Sequence, residues 1–136
     1  MGVNVAEGQE IAQHTGPVEL TVPAQSEHLR VLRLVTTSLA ASVDMDVDQL
    51  DDLRIAIDEL CGQLIEHAQE GARLRLALVG RSGHLQAEGS IVDGASSSPA
   101  TIDPISQLIL DGLDVEWSND EQVPCFQLVA PRQSAP

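Results

Sequence analysis

Glu59, Gln63 and His67 follow one another at four-residue steps inside residues 47–68, VDQLDDLRIAIDELCGQLIEHA. At about 100° per residue, that spacing sets a carboxylate, a carboxamide and an imidazole in one row along a helix. Leu50, Leu53, Ile57, Leu60, Leu64 and Ala68 recur at three- and four-residue steps and make the apolar face that the row borders. A polar row there can look into a pocket while the helix stays anchored in a core. The alternative is the wet edge of an ordinary amphipathic helix.

Two other groupings carry chemistry. Arg30, Arg33 and Thr37 fall at i, i+3 and i+7 and share a face of an earlier helix, either a docking surface or a solvated face that aids solubility. Asp44, Asp46 and Asp48 form a D-x-D-x-D string that invites a calcium reading. An EF-hand loop needs glycine at its sixth position and glutamate at its twelfth. Counted from Asp44 these are Gln49 and Ile55, and counted from Asp46 they are Asp51 and Ile57, so the loop fails. The acids instead suit the entry of the long helix, near its positive end.

Composition narrows the function classes. The chain has 136 residues, enough for one domain with its own core. Its formal charge of −14 argues against gripping a nucleic-acid backbone and is compatible with a basic protein partner. All seven basic residues are arginine, which excludes phosphate-loop ATPases, protein kinases of the lysine-dependent type and Schiff-base enzymes. Trp117 and Phe126 are the only aromatics, so base-stacking platforms are lacking. Cys61 and Cys125 are too few for a zinc site; they read as small hydrophobes, with a regulatory disulfide as the alternative. There is no run of eighteen apolar residues and no secretory leader, so no membrane association and a cytoplasmic address are expected.

The elements that must position these residues can be read in order. Residues 1–17 lack periodicity and are expected to be a flexible tail, with a domain over 18–132 and a short tail over 133–136. Val18, Leu20 and Val22 alternate as a half-buried strand, and Ser26 is the expected N-cap of a helix reaching Ser42 with Leu29, Leu32, Val35 or Thr36, and Leu39 inward. After the long helix, residues 74–78 and 85–91 form a hairpin weakened by Gly89, and residues 93–103 form a polar loop. Pro104 suits the first position of a helix over 105–113, with Gly112 near its end; strands follow at Val115 and Trp117 and over 125–130. The expected class is α+β: a two-layer sandwich of a mixed, mostly antiparallel sheet with three helices on one face.

Three stretches carry a resemblance: VPAQSEHLRVLRLVTTSLAA, LDDLRIAIDELCGQLIEHA and LILDGLDVEW. They resemble the first strand-to-helix passage, the second helix (E-[LA]-x-x-N-A-x-x-H) and the last helix-to-strand passage of bacterial anti-sigma factors with the histidine-kinase-like ATPase fold. The resemblance covers roughly residues 18–132 and looks closest to the shortened actinobacterial members. It implies that Glu59 matches a general base for a seryl hydroxyl, Gln63 stands where asparagine ligates magnesium, and His67 matches the terminal histidine. The added methylene of glutamine displaces the carbonyl oxygen by about a bond length, and magnesium demands near-ideal octahedral geometry.

The adenine-reading motif D-x-G-x-G has its nearest counterpart in Asp93-Gly94, without the following glycines. The glycine-rich lid before the last helix is replaced by SSSPATIDP. The resemblance therefore implies a degenerate nucleotide site with Glu59 a remnant base, no ATP or magnesium bound, and ATP with magnesium only if the altered site still works. It also implies that Arg33, with Arg30 one turn before it, contacts a sigma factor, and that an anti-anti-sigma protein competes for that face. A homodimer through the sheet edge belongs to the same implication. The alternative is an active ATP-dependent protein-serine kinase that phosphorylates its antagonist.

Overall fold

The computed structural model of the protein describes residues 14–94, 101–120 and 122–133. Strands β1 (His14–Pro23), β2 (Arg73–Arg81), β3 (His84–Val92), β4 (Glu116–Asp120) and β5 (Cys125–Ala130) form one sheet in the order β1-β2-β3-β5-β4. All four neighbouring pairs are antiparallel, so the α+β class holds, and among the described residues the sheet has none of the parallel pairing that a mixed sheet allows. Helices α1 (Leu29–Ser42), α2 (Val47–Glu66) and α3 (Pro104–Asp111) complete the fold.

The sheet turns one face inward. Leu74, Leu76 and Leu78 of β2, Leu85, Ala87 and Ile91 of β3, and Phe126, Leu128 and Ala130 of β5 are all buried, while Arg73, Arg75, Gln86, Glu88 and Gln127 lie on the other, exposed face. Strand alternation produces that division directly. Against the inner face α2 lays Leu53, Ala56, Ile57, Leu60, Cys61 and Leu64, and α1 lays Leu32, Thr36, Leu39 and Ala40. Thr36 takes an inward place because its hydroxyl donates to the Leu32 carbonyl at 2.7 Å and so is satisfied in the core. Leu50 and Ala68 lie at the half-buried margin.

Several local expectations change. Strand β1 begins at His14, before the expected start at Val18; residues 14–17, HTGP, hold no aliphatic side chain whose alternation could mark a strand, and a register shift falls between Thr15 and Val18. Pro17 is tolerated there because β1 is an edge strand. Ser26 is no N-cap: residues Ser26–His28 form a 3-10 turn ahead of α1. Asp46 caps α2, and its carboxylate and the Gln49 side chain close a reciprocal box with each other's backbone N–H groups. Gly89 does not weaken β3. A Cβ at that position would stand 2.2 Å from Cε2 of Phe126, so the glycine is the seat of the one phenyl ring in the chain. Residues 1–13, 95–100, 121 and 134–136 lie outside the described residues, and with them the middle of the loop expected over 93–103 and the rest of the tails expected over 1–17 and 133–136.

Candidate functional site

Helix α2 is flanked by α1 on one side and α3 on the other, and its polar residues divide between those flanks. On the α3 flank, Glu59 and Gln63 meet the start of α3. Asp103 is the N-cap of α3, with Oδ1 accepting from the Ser106 N–H at 2.8 Å and Pro104 in the first helical position. That helix delivers two side chains to α2. Ser106 Oγ donates to Glu59 Oε2 at 2.7 Å, and Gln63 Nε2 donates to Asp103 Oδ2 at 2.9 Å and to Ser106 Oγ at 3.2 Å. Gln63 Oε1 accepts the Asp103 backbone N–H at 3.4 Å.

The amide of Gln63 is thus engaged at both ends, and the side chain is only 7% exposed. Ser106 is equally buried, whereas Glu59 is half-buried and Asp103 exposed. The Ser106 N–H, then the Gln63 and Ser106 side chains, hold the Asp103 carboxyl below its ordinary range, so it is anionic at neutral pH. Two carboxylates and no arginine make up the contacts of this cluster among the described residues. His67, the third of the row, caps α2: its Nδ1 donates to the Gln63 carbonyl at 2.8 Å, so it serves the backbone at the helix end.

Asp93 and Gly94 follow the end of β3. Both have positive φ, 55° and 132°, and a Cβ on Gly94 would meet Ala72 Cα at 3.2 Å. The residues after them, where the rest of an adenine motif would fall, lie outside the described residues. A shallow hollow lined by Ala77, Val79, Gln86, Gln127 and Val129 lies on the opposite side of the sheet from Glu59 and Gln63.

On the α1 flank, Arg33 Nη1 donates to Asp58 Oδ2 at 2.9 Å. Arg30 is exposed and makes no ion pair among the described residues. Val31 and Leu34 are exposed on the same helix, Leu34 to 67%, so the face read as cationic is a mixture of arginine and aliphatic surface. Cys61 is buried, Cys125 half-buried, and both are free thiols; burial and then the Asp58 charge push the Cys61 thiol far above its ordinary range.

The sequence assigns no site role to three residues of these contacts: Asp103, at the end of the polar loop, Ser106, and Asp58, expected on the surface of the long helix. Asp103-Pro104 carries a local signal, an N-cap acid before a proline at the first helical position. Ser106 and Asp58 carry none, because their partners are 47 and 25 residues away.

Comparison with known proteins agrees with this architecture. A family model described as the histidine kinase-like ATPase domain matches residues 22–105. The anti-sigma-F factor RsbW of Mycobacterium tuberculosis (strain ATCC 25618 / H37Rv) is 40% identical over 73 residues, which is 54% of this chain and 44% of that protein. The serine-protein kinase RsbW of Bacillus subtilis (strain 168) is 35% identical over 51 residues, 38% of this chain and 32% of that protein. The serine-protein kinase RsbW of Halalkalibacterium halodurans is 36% identical over 61 residues, covering 44% and 38% respectively. The matched part of the chain spans less than half the length of each of these relatives. With more than half of its residues matched by the domain model, and with a five-stranded sheet backed by three helices, the chain belongs to the histidine kinase-like ATPase domain family.

Proposed function

We propose that the protein is an anti-sigma factor: it sequesters an alternative RNA polymerase sigma factor through the Arg30–Arg33 face of α1, and an anti-anti-sigma protein displaces it by competing for overlapping surface. Switching on this reading draws its free energy from competition between partners, with no phosphoryl transfer. One contrast carries it. The side chain at the metal-ligand position, Gln63, is bonded inside the protein, while Arg30 and part of Arg33 face outward beside Leu34. The names of the relatives, anti-sigma-F factor among them, support the same reading.

ATP and magnesium do not fit the residues at this site. The Gln63 carbonyl oxygen, the atom that would ligate a cation, accepts the Asp103 N–H. The N-terminus of α3, where backbone N–H groups could hold a phosphate, is capped by an anionic carboxylate that repels one. The Glu59 carboxylate, which makes no ion pair among the described residues, adds to that repulsion.

The exposed arginines suit a carboxylate-bearing partner. A guanidinium can hold a carboxylate through two parallel bonds, and truncating one member of such a buried pair typically costs about 2–5 kcal/mol. A tagged full-length chain and its Arg33→Glu variant should be used as baits in native lysate of the organism that makes it. The expected result is a sigma factor retained by the wild type and lost by a variant with an unchanged circular-dichroism spectrum. Equal retention by the folded variant rejects Arg33 as a contact, and recovery of no sigma factor rejects the anti-sigma reading.

A second reading, a protein-serine kinase acting on its antagonist, has one observation in its favour. Glu59 already takes a hydrogen bond from a seryl hydroxyl, that of Ser106, as a general base would from its substrate. Titration with ATP and magnesium separates the two. Tight binding by the wild type that disappears in Gln63→Ala would replace the first reading with the second.

A further inference from the structure

We infer that Asp58 is the positioning residue of the Arg33 contact: it grips one end of the guanidinium and leaves the other edge turned toward a partner's carboxylate. This rests on the reading of Arg33 as a docking residue. The bond crosses from α2 to α1, and its members stand 25 residues apart in sequence. It engages only Nη1; Nη2 and Nε of Arg33 make no hydrogen bond among the described residues, and the side chain remains 36% exposed. Those two nitrogens form the parallel donor edge that matches a carboxylate, so a partner can bind without expelling Asp58.

The Asp58 carboxylate is poorly served by the arrangement. Oδ2 has Arg33, but Oδ1 is buried and has no hydrogen-bond partner. An orphaned oxygen of this kind opposes folding, and a half-exposed ion pair contributes little in return. Structural stability therefore gives a weak account of this aspartate. Positioning gives a better one. A free arginine would lose several rotamers on docking, whereas one already tied to α2 meets its partner in an ordered state. Arg30, one turn earlier and without an ion pair among the described residues, is the unheld counterpart on the same face.

The charge of Asp58 also repels an acidic partner, so two substitutions are needed. Asp58→Asn removes the charge and keeps an acceptor for Nη1, and Asp58→Ala removes both. Against the sigma factor recovered with the wild-type chain, Asp58→Asn should bind at least as tightly as wild type. Asp58→Ala should bind roughly two- to tenfold more weakly than Asp58→Asn, the factor expected from ordering one long side chain. The difference should vanish in an Arg33→Ala background, and the thermal midpoint of Asp58→Ala should equal or exceed that of wild type. ¹⁵N relaxation of the Arg33 Nε–H, measured on the free protein, should show an ordered group in wild type and a mobile one in Asp58→Ala.

Binding by Asp58→Ala as tight as by Asp58→Asn overturns the inference, and so does an equal loss with Ala in the Arg33→Ala background. An Arg33 Nε–H as mobile in wild type as in Asp58→Ala overturns it without any partner. Failure to recover a sigma factor rejects the function proposed above and leaves the relaxation measurement to decide whether Asp58 holds Arg33.

Discussion

Replacing Gln63 with alanine tests what the amide at the centre of the α3 flank is for. The side chain is buried and makes three contacts: Nε2 to Asp103 Oδ2 at 2.9 Å, Nε2 to Ser106 Oγ at 3.2 Å, and Oε1 from the Asp103 N–H at 3.4 Å. Its former partners would be only partly stranded. Ser106 keeps Glu59, and Asp103 is exposed and keeps the Ser106 N–H. The penalty for unsatisfied groups is therefore small, and what remains is the loss of one good hydrogen bond, two long ones and the packing of the side-chain stem. Together these come to about 1.5–3 kcal/mol. In a domain of this size that corresponds to a fall in Tm of roughly 5–15 °C. Urea unfolding should show the midpoint move with an unchanged m-value, and titration with ATP and magnesium should give the same null isotherm for both proteins. Gln63→Asn, which restores the residue usual in the family, should be destabilised too, because the shorter chain cannot reach both Asp103 and Ser106. An unchanged midpoint in Gln63→Ala, coupled with loss of a nucleotide affinity that wild type possessed, would refute the argument.

Gly89→Ala should destabilise the fold by about 1–3 kcal/mol through overpacking against Phe126, and adding Phe126→Leu should recover part of the loss in the same urea assay. Cys61 should resist a thiol reagent at pH 8 until the protein unfolds, while Cys125, half-buried, should react in the native state; native labelling of both would contradict the burial of α2. The folded-state pKa of Asp103 lies below its unfolded value, so its capping contribution is present above the ordinary carboxylate pKa of 3.8 and is lost as pH falls through the lower, folded value. Asp103→Asn should accordingly flatten the stability–pH curve below about pH 4, and an unaltered acid limb in urea melts would contradict the cap.

What the sequence made legible is what short-range periodicity encodes. The apolar row Leu53-Ile57-Leu60-Leu64, the alternation Leu74-Leu76-Leu78 and the proline at the start of α3 each follow from spacing alone, and each is where it was expected. The polar row of α2 was legible as a row, but not its partners, since nothing local says that Ser106 and Asp103 will close over Glu59 and Gln63. Likewise the arginines of α1 could be placed on one face, while the ion pair to Asp58 depends on the packing of two helices. Gly89 misled because a strand glycine reads as a weakness until the ring that fills its place is known. The beginning of β1 was hidden because alternation is the signal, and residues 14–17 carry no aliphatic side chain to show it.

The strand order sets β5, the last of the described strands in chain order, in the interior between β3 and β4. Until Cys125–Ala130 has left the ribosome, two neighbours present open hydrogen-bonding edges and the phenyl ring that fits over Gly89 is missing from the nascent chain. Assembly of the layer accordingly waits for residues 125–130, and a chain released before residue 125 exposes β3 to whatever other strand is at hand.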